Sequence, residues 1–236
     1  MATVILLRHA RSTANGSGVL AGRGEGVGLD ETGTNQAAAL IRRLTGVPLA
    51  GIVASPLLRC EQTVAALTEE RNLSVTTEPD LSEVDYGEWT GKELRSLMNE
   101  PLWKVVQQHP SAAVFPAGEG LATVQARSVA AIRAHDARIG AEHGQHAVWL
   151  ACSHGDVIKS VLADALCQHL DSFQRIVVDP CSMSVIRYTE TRPFVLRVND
   201  TGGDLASVVP PEPKPEDDKA GSDGSDAVVG GSTGTP

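Results

Sequence analysis

Val4-Ile5-Leu6-Leu7-Arg8-His9-Ala10-Arg11-Ser12-Thr13-Ala14-Asn15 is the stretch from which the rest of the chain can be read. Four apolar residues in a row are the pattern of a short buried strand. A guanidinium, an imidazole and a second guanidinium follow with no polar lead-in, and then small or polar side chains. An open α/β sheet gathers its ligand crevice at the carboxyl ends of its strands. Guanidinium groups there match phosphate oxygens with paired hydrogen bonds. On these twelve residues alone, a strand ending in solvated basic side chains with His9 exposed fits as well.

Composition narrows the choice. The chain has 236 residues, 42% of them apolar and only 3% aromatic, so a sizeable core must be built from Ala, Val, Leu and Ile. The net charge of −9 is unevenly spread: eight of the 29 acids but only two of the 20 bases lie from Asp200 onward. A near-neutral body with local Arg clusters argues against nucleic-acid binding. Cys60, Cys152, Cys167 and Cys181 show no CxxC spacing and read as buried free thiols. No stretch reaches the length of a membrane span, and the N-terminus lacks the basic region of a signal peptide. The expectation is a cytoplasmic protein with no membrane partner.

Along the chain, short apolar strands alternate with helical patterns. Asp30 caps a helix running toward Gly46. Gly51–Ala54 is a strand that leads into Ser55-Pro56 and a helix bearing Leu57, Cys60, Val64 and Leu67, with Ser55 as its cap. Leu73–Thr77 reads as a strand, and Leu94–Gln108 as helix broken at Pro101. Leu121–Glu142 is a long helix, Ala147–Cys152 the most apolar strand, and Val157–Leu170 another helix. Ser182–Tyr188 and Phe194–Val198 form a C-terminal hairpin. The fold class expected is α/β, a three-layer α/β/α sandwich with a mostly parallel sheet and an antiparallel C-terminal addition. It occupies residues 1–199. Residues 200–236, rich in Pro, Gly, Ser and Asp, cannot bury enough surface to offset their ordering entropy and read as a disordered acidic tail.

Three strand ends carry matching chemistry: Arg8-His9, Arg59 one turn into the helix after the second strand, and His154-Gly155 after the fourth. In a doubly wound sheet they share one edge, where two imidazoles and two guanidiniums converge beside the amides of a helix N-terminus. Taken singly, each has a structural account as well.

The ordered motifs resemble the histidine phosphatase superfamily, which includes cofactor-dependent phosphoglycerate mutases and many bacterial phosphatases. Its leading Arg-His-Gly signature corresponds to Arg8-His9-Ala10 with Ser12, Thr13 and Asn15. Its Ser-Pro-Leu-x-Arg-Ala-x-Gln-Thr corresponds to Ser55-Pro56-Leu57-Leu58-Arg59-Cys60-Glu61-Gln62-Thr63, and its Leu-x-Glu segment to Leu81-Ser82-Glu83, leading to Gly87 and Trp89-Thr90-Gly91. Its Ser-His-Gly corresponds to Ser153-His154-Gly155. Gly22-Arg23 and Phe115-Pro116-Ala117-Gly118-Glu119 are weaker matches.

The resemblance implies hydrolysis of a small-molecule phosphate ester through a phosphohistidine on His9, with Glu83 as proton donor and Asp85 and Glu88 as bystanders. Arg8, Arg59 and His154 would hold the equatorial oxygens, helped by Asn15 and the Gly155 amide. Ser12, Gly22 and Arg23 are further substrate-binding candidates. Arg11, where the family commonly has Glu or Gln, would place another cation by the pocket for a second negative group. No cofactor or metal is called for. A phosphoglycerate-type mutase and a catalytically silent binding module of the same fold are the alternatives. The stretch around Phe115–Glu119 resembles the phosphatase branch more closely.

Overall fold

The computed structural model describes residues 1–203 and 229–230. Six strands form one sheet in the order β3-β2-β4-β1-β5-β6. They are β1 (Thr3–Arg8), β2 (Leu49–Ala54), β3 (Val75–Thr77), β4 (Val148–Ser153), β5 (Met183–Arg187) and β6 (Phe194–Asp200). β3, β2, β4 and β1 run parallel, and β5 and β6 add an antiparallel edge. The helices are α1 (Thr13–Ser17), α2 (Glu31–Arg43), α3 (Leu58–Arg71), α4 (Leu94–Leu97), α5 (Pro101–Gln108), α6 (Leu121–His143) and α7 (Gly155–Ala165).

The three layers follow from strand pleat. Ile5 and Leu7 of β1, Ile52 and Ala54 of β2, and Leu150 and Cys152 of β4 face one side, packing on α2 and α3 through Leu40, Val64 and Leu67. The intervening Val4, Leu6, Val53, Trp149 and Ala151 face the other, against α6 and α7. Both faces are covered, so the inner strands read as continuous apolar runs. The mixed α/β sheet is thus as the sequence implies.

Two helix starts differ from expectation. α3 begins at Leu58 with Leu57, which has no capping side chain, at the cap position. Ser55 lies two residues earlier, its hydroxyl accepting the Leu57 N–H at 3.4 Å and meeting His154 Nε2 at 2.8 Å. α7 begins already at Gly155, with His154 as the capping residue, and ends at Ala165 rather than Leu170. Cys167 beyond it is exposed, unlike the buried Cys60, Cys152 and Cys181, and all four thiols are free. Among the described residues, no helix is long and apolar enough to cross a membrane.

The expected disordered tail falls largely on 204–228 and 231–236, which lie outside the described residues. Its two described members beyond Gly203 depart from a tail that packs nowhere. Val229 is 1% exposed and belongs to the main core cluster, and Gly230 donates its N–H to Asp156 Oδ2 at 3.0 Å.

Candidate active site

Register brings the charged strand ends level. Arg8 pairs with Ser153 across β1 and β4, and Ala54 with Cys152 across β2 and β4. The His9 N–H donates to Ser153 O at 2.9 Å, and the Ser55 N–H to Cys152 O at 3.0 Å. Arg8, His9, Arg59, Glu83 and His154 are each at most 4% exposed. Buried charges of this kind persist only where paired or where a ligand completes them.

His9 is held in one tautomer. Its Nδ1 lies 2.8 Å from Ala10 O. A carbonyl only accepts, so Nδ1 carries the hydrogen and Nε2 keeps its lone pair. Burial, then the charges of Arg59 and Arg8, hold the imidazole well below its ordinary pKa. His9 is therefore neutral at physiological pH, with a nucleophilic nitrogen between two cations.

The guanidiniums are anchored by main-chain carbonyls. Arg8 donates Nη1 to Val178 O at 2.7 Å and Nη2 to Gly230 O at 3.2 Å. Arg59 Nη2 donates to Gly22 O at 2.8 Å and to His154 Nδ1 at 3.2 Å. The position of Gly22 is forced: its φ is +49°, and a Cβ there would lie 2.7 Å from Thr90 Oγ1. Since a guanidinium only donates, His154 accepts at Nδ1 and carries its hydrogen on Nε2, toward Ser55 Oγ. Its ring centroid stands 5.2 Å from that of His9. Burial and Arg59 hold its pKa well below the usual value. Both ring nitrogens of His154 are thus spent on protein.

Glu83 faces the same cavity as Arg8, His9 and Arg59. Its Oε1 accepts the Val84 N–H at 3.0 Å. Burial, reinforced by the nearby Asp156 charge, raises its pKa to about 7. The neighbouring carboxylates differ: Glu88 is exposed, and Asp85 caps a turn by accepting the Gly87 N–H at 3.0 Å. Asp156, fully buried, accepts the Tyr86 hydroxyl at 2.8 Å and lies 3.6 Å from Lys159.

The remaining sequence candidates divide. Asn15 lines the cavity. Its Oδ1 accepts both the Ser12 N–H at 3.0 Å and the Ser12 hydroxyl at 2.9 Å. This capping box fixes the amide and leaves its NH₂ for a ligand. Ser12 also lines the cavity, but its hydroxyl is used for that cap. Gly22 contributes a wall and a carbonyl. Arg11, Arg23, His154 and Gly155 stand outside the cavity wall. Arg11, expected to place an extra cation there, rests with its Nε 3.3 Å from Oδ2 of the α2-capping Asp30. Arg23, another substrate-binding candidate, is turned to the protein. It donates to Glu83 O and to the Glu119 carboxylate, both at 2.9 Å.

The site also contains residues that sequence reasoning missed. Tyr86, Val229 and Gly230 form part of the wall, and the cavity left beside them is about 20 Å³, room for little more than one water. Arg127 reaches the Glu83 main chain. The buried Tyr86 within the Glu83 motif carried a signal, but nothing local marked Arg127 or the tail residues. Among the described residues, no cluster of His, Cys, Asp or Glu is arranged to hold a metal ion. Chemically, this is a small cationic recess with one neutral imidazole nitrogen carrying a lone pair and one carboxyl able to carry a proton near neutrality.

The family model for the histidine phosphatase superfamily (branch 1) matches residues 4–201. Phosphoserine phosphatase 1 of Hydrogenobacter thermophilus is 30% identical over 207 residues, spanning 85% of this chain and 93% of that one. A Yersinia pestis protein named "Probable phosphoglycerate mutase GpmB" is 27% identical over 210 residues, spanning 87% and 94%. The solved structure of Bacillus stearothermophilus YhfR superposes with a TM-score of 0.77 at 24% identity, covering 85% of this chain and 98% of that one.

Proposed function

The chain belongs to the histidine phosphatase superfamily, and from that premise we propose that it hydrolyses phosphate monoesters of small molecules through a phosphohistidine on His9. The observation that carries this reading is the state of His9: Nδ1 is tied to Ala10 O, leaving a neutral Nε2 flanked by the buried Arg8 and Arg59. The name of the Hydrogenobacter relative supports phosphatase over mutase chemistry.

In the first step Nε2 attacks phosphorus and the P–O ester bond breaks. The departing alkoxide takes the proton of Glu83 and leaves as an alcohol. Arg8, Arg59 and the Asn15 amide stabilise the oxygens on which charge builds. In the second step the Glu83 carboxylate takes a proton from water as its oxygen attacks the phosphohistidine. Phosphate leaves and His9 is restored. A carboxyl poised near 7 suits both directions of proton transfer. His154, through Nδ1, orients Arg59 rather than binding phosphate itself.

The test uses a panel that includes phosphoserine, 3-phosphoglycerate with bisphosphoglycerate, and p-nitrophenyl phosphate. Base-quenched protein should carry label on the His9 peptide, with free phosphate released. Isomerised phosphoglycerate without free phosphate would favour the mutase reading, and label on His154 would overturn the assignment of the nucleophile.

A further inference from the structure

The segment that carries Glu83 has no strand or α-helix of its own. Between β3 and α4 it contains only two short 3₁₀ turns, Pro79–Leu81 and Gly87–Trp89. Leu81 and Val84 are buried in the core, the Ser153 hydroxyl of β4 donates to Leu81 O at 2.7 Å and the Glu119 N–H to Asp85 O at 2.9 Å. In addition, a side-chain cluster grips the main chain at three points around Glu83. Arg127 of α6 donates Nη1 to Asp80 O at 2.5 Å and Nη2 to Glu83 O at 3.3 Å. Arg23 donates Nε to the same Glu83 carbonyl at 2.9 Å. Glu119 accepts the Asp85 N–H at 2.9 Å.

The three side chains also grip one another. Glu119 Oε1 takes Arg127 Nη2 at 2.7 Å and Arg23 Nη2 at 2.9 Å, and Oε2 takes Arg127 Nε at 3.1 Å. That is a two-point Arg–carboxylate fork with a second guanidinium added. Burial pushes the Glu119 carboxyl up in pKa, but the bonds from Arg127 and the Asp85 amide and the two guanidinium charges outweigh it and hold the group below its ordinary value. The cluster is charged and mutually satisfied, with Glu119 and Arg127 half-buried and Arg23 exposed.

Among the described residues, the bond seen at the Glu83 carboxyl is the short local one to Val84 N–H, so its aim follows that of the main chain beneath it. We propose that Glu119 and Arg127, joined by Arg23, are positioning residues for the proton donor: their clasp fixes the Asp80–Asp85 main chain and thereby aims Glu83 at the ester oxygen above His9. This rests on the reading of Glu83 as donor. Gly87 lets the far end of the loop close on the same support. Its φ is +51°, and a Cβ there would collide with Pro116 O, two residues before Gly118 and three before Glu119.

The experiment compares an alkyl phosphate, whose leaving group needs a proton, with p-nitrophenyl phosphate, whose leaving group does not, in pre-steady-state phosphorylation of His9 by the full chain. Arg127→Lys keeps the charge but loses the fork. A small misplacement of a catalytic group is worth up to about a hundredfold, so the alkyl ester should slow by roughly 10- to 100-fold and the nitrophenyl ester by less than about threefold. Glu119→Gln, which keeps an acceptor for the Asp85 amide, should show the same selectivity, more weakly. Adding Arg127→Lys to Glu83→Gln should bring no further selectivity, since the group being aimed has gone.

Equal losses on both esters with a lowered melting temperature would assign the clasp to fold stability and overturn the proposal. So would failure of both variants to fold, or additive selectivity in the double variant. If Glu83→Gln discriminates between the esters and neither clasp variant does, the clasp proposal falls while the donor reading stands. If Glu83→Gln itself does not discriminate, the donor reading fails whatever the clasp variants show.

Discussion

Arg8 and His9 leave β1 level with Ser153 of β4, whereas Glu83 rides a segment outside the sheet, held by the side chains of Arg23, Arg127 and Glu119, by the Ser153 hydroxyl on Leu81 O and by the Glu119 N–H on Asp85 O. The two walls of one cavity are therefore built by different physics. On the sheet side, backbone hydrogen bonds set positions to within one residue, because a slip would turn every strand side chain to the wrong face. On the donor side, the main chain has no such ruler and its polar groups need partners from elsewhere. His9, the proposed nucleophile, inherits its place from strand register. Glu83, the proposed donor, takes its place from a loop held by three long side chains together with the Ser153 hydroxyl and its buried Leu81 and Val84.

The largest effect should fall on the sheet side. His9→Ala removes the proposed nucleophile and should lower phosphatase turnover by on the order of 10⁴ or more. A variant keeping turnover within an order of magnitude would break the comparison at its root, and loss of base-stable label on the His9 peptide is the accompanying measurement.

The donor side should fail first with pH. Glu83 titrates at about 7, while His9 is held neutral by burial and by Arg59 and Arg8. Above pH 7, kcat/KM for an alkyl phosphate should fall about tenfold per pH unit as the acid is lost, and the nitrophenyl ester should not follow it. The same group makes a stability prediction. A carboxyl whose pKa is raised on folding adds stability fully present below its unfolded value and lost as pH rises through about 7. Melting of Glu83→Gln should therefore gain on the parent between pH 5 and pH 8, by up to about 3 kcal/mol. A pH-independent difference would show that the carboxyl is solvated.

A smaller effect is expected where the chain end meets the sheet side. Val229→Asp should release the Gly230 carbonyl from Arg8 Nη2. Thermal stability should fall by about 1.5–3 kcal/mol for one core valine. Inorganic phosphate should inhibit about tenfold more tightly, the worth of one hydrogen bond to a charged group. No change in either melting or phosphate inhibition would mean that the chain end does not rest there in solution. The smallest effect belongs to Arg11→Ala. Its guanidinium is paired with Asp30 away from the cavity, so turnover should stay within about twofold, as for a partly exposed ion pair.

What was legible in the sequence was local or periodic. The apolar run before Arg8, the alternation of short strands with helices, and the hairpin at the end sufficed for a mixed three-layer sheet. The order of the Arg8-His9, Ser55–Thr63, Glu83 and Ser153–Gly155 motifs sufficed for the family. These are near-neighbour patterns, set by backbone period and by residue types at strand ends.

The placements that the sequence left open were those in which a side chain had a choice of partner. Ser55 had the residue type of a helix cap and instead holds His154. Arg11 and Arg23 had the charge of phosphate ligands and instead found Asp30 and Glu119. Arg127 lies 44 residues from Glu83 and Gly230 lies 222 from Arg8, separations over which no local pattern operates. By itself, the sequence determined which chemical groups arrive at the sheet edge, since strand register carries them there. Only the tertiary structure decided which of them face the cavity and what holds the acid opposite, because long charged side chains settle on the nearest buried partner that satisfies their hydrogen bonds.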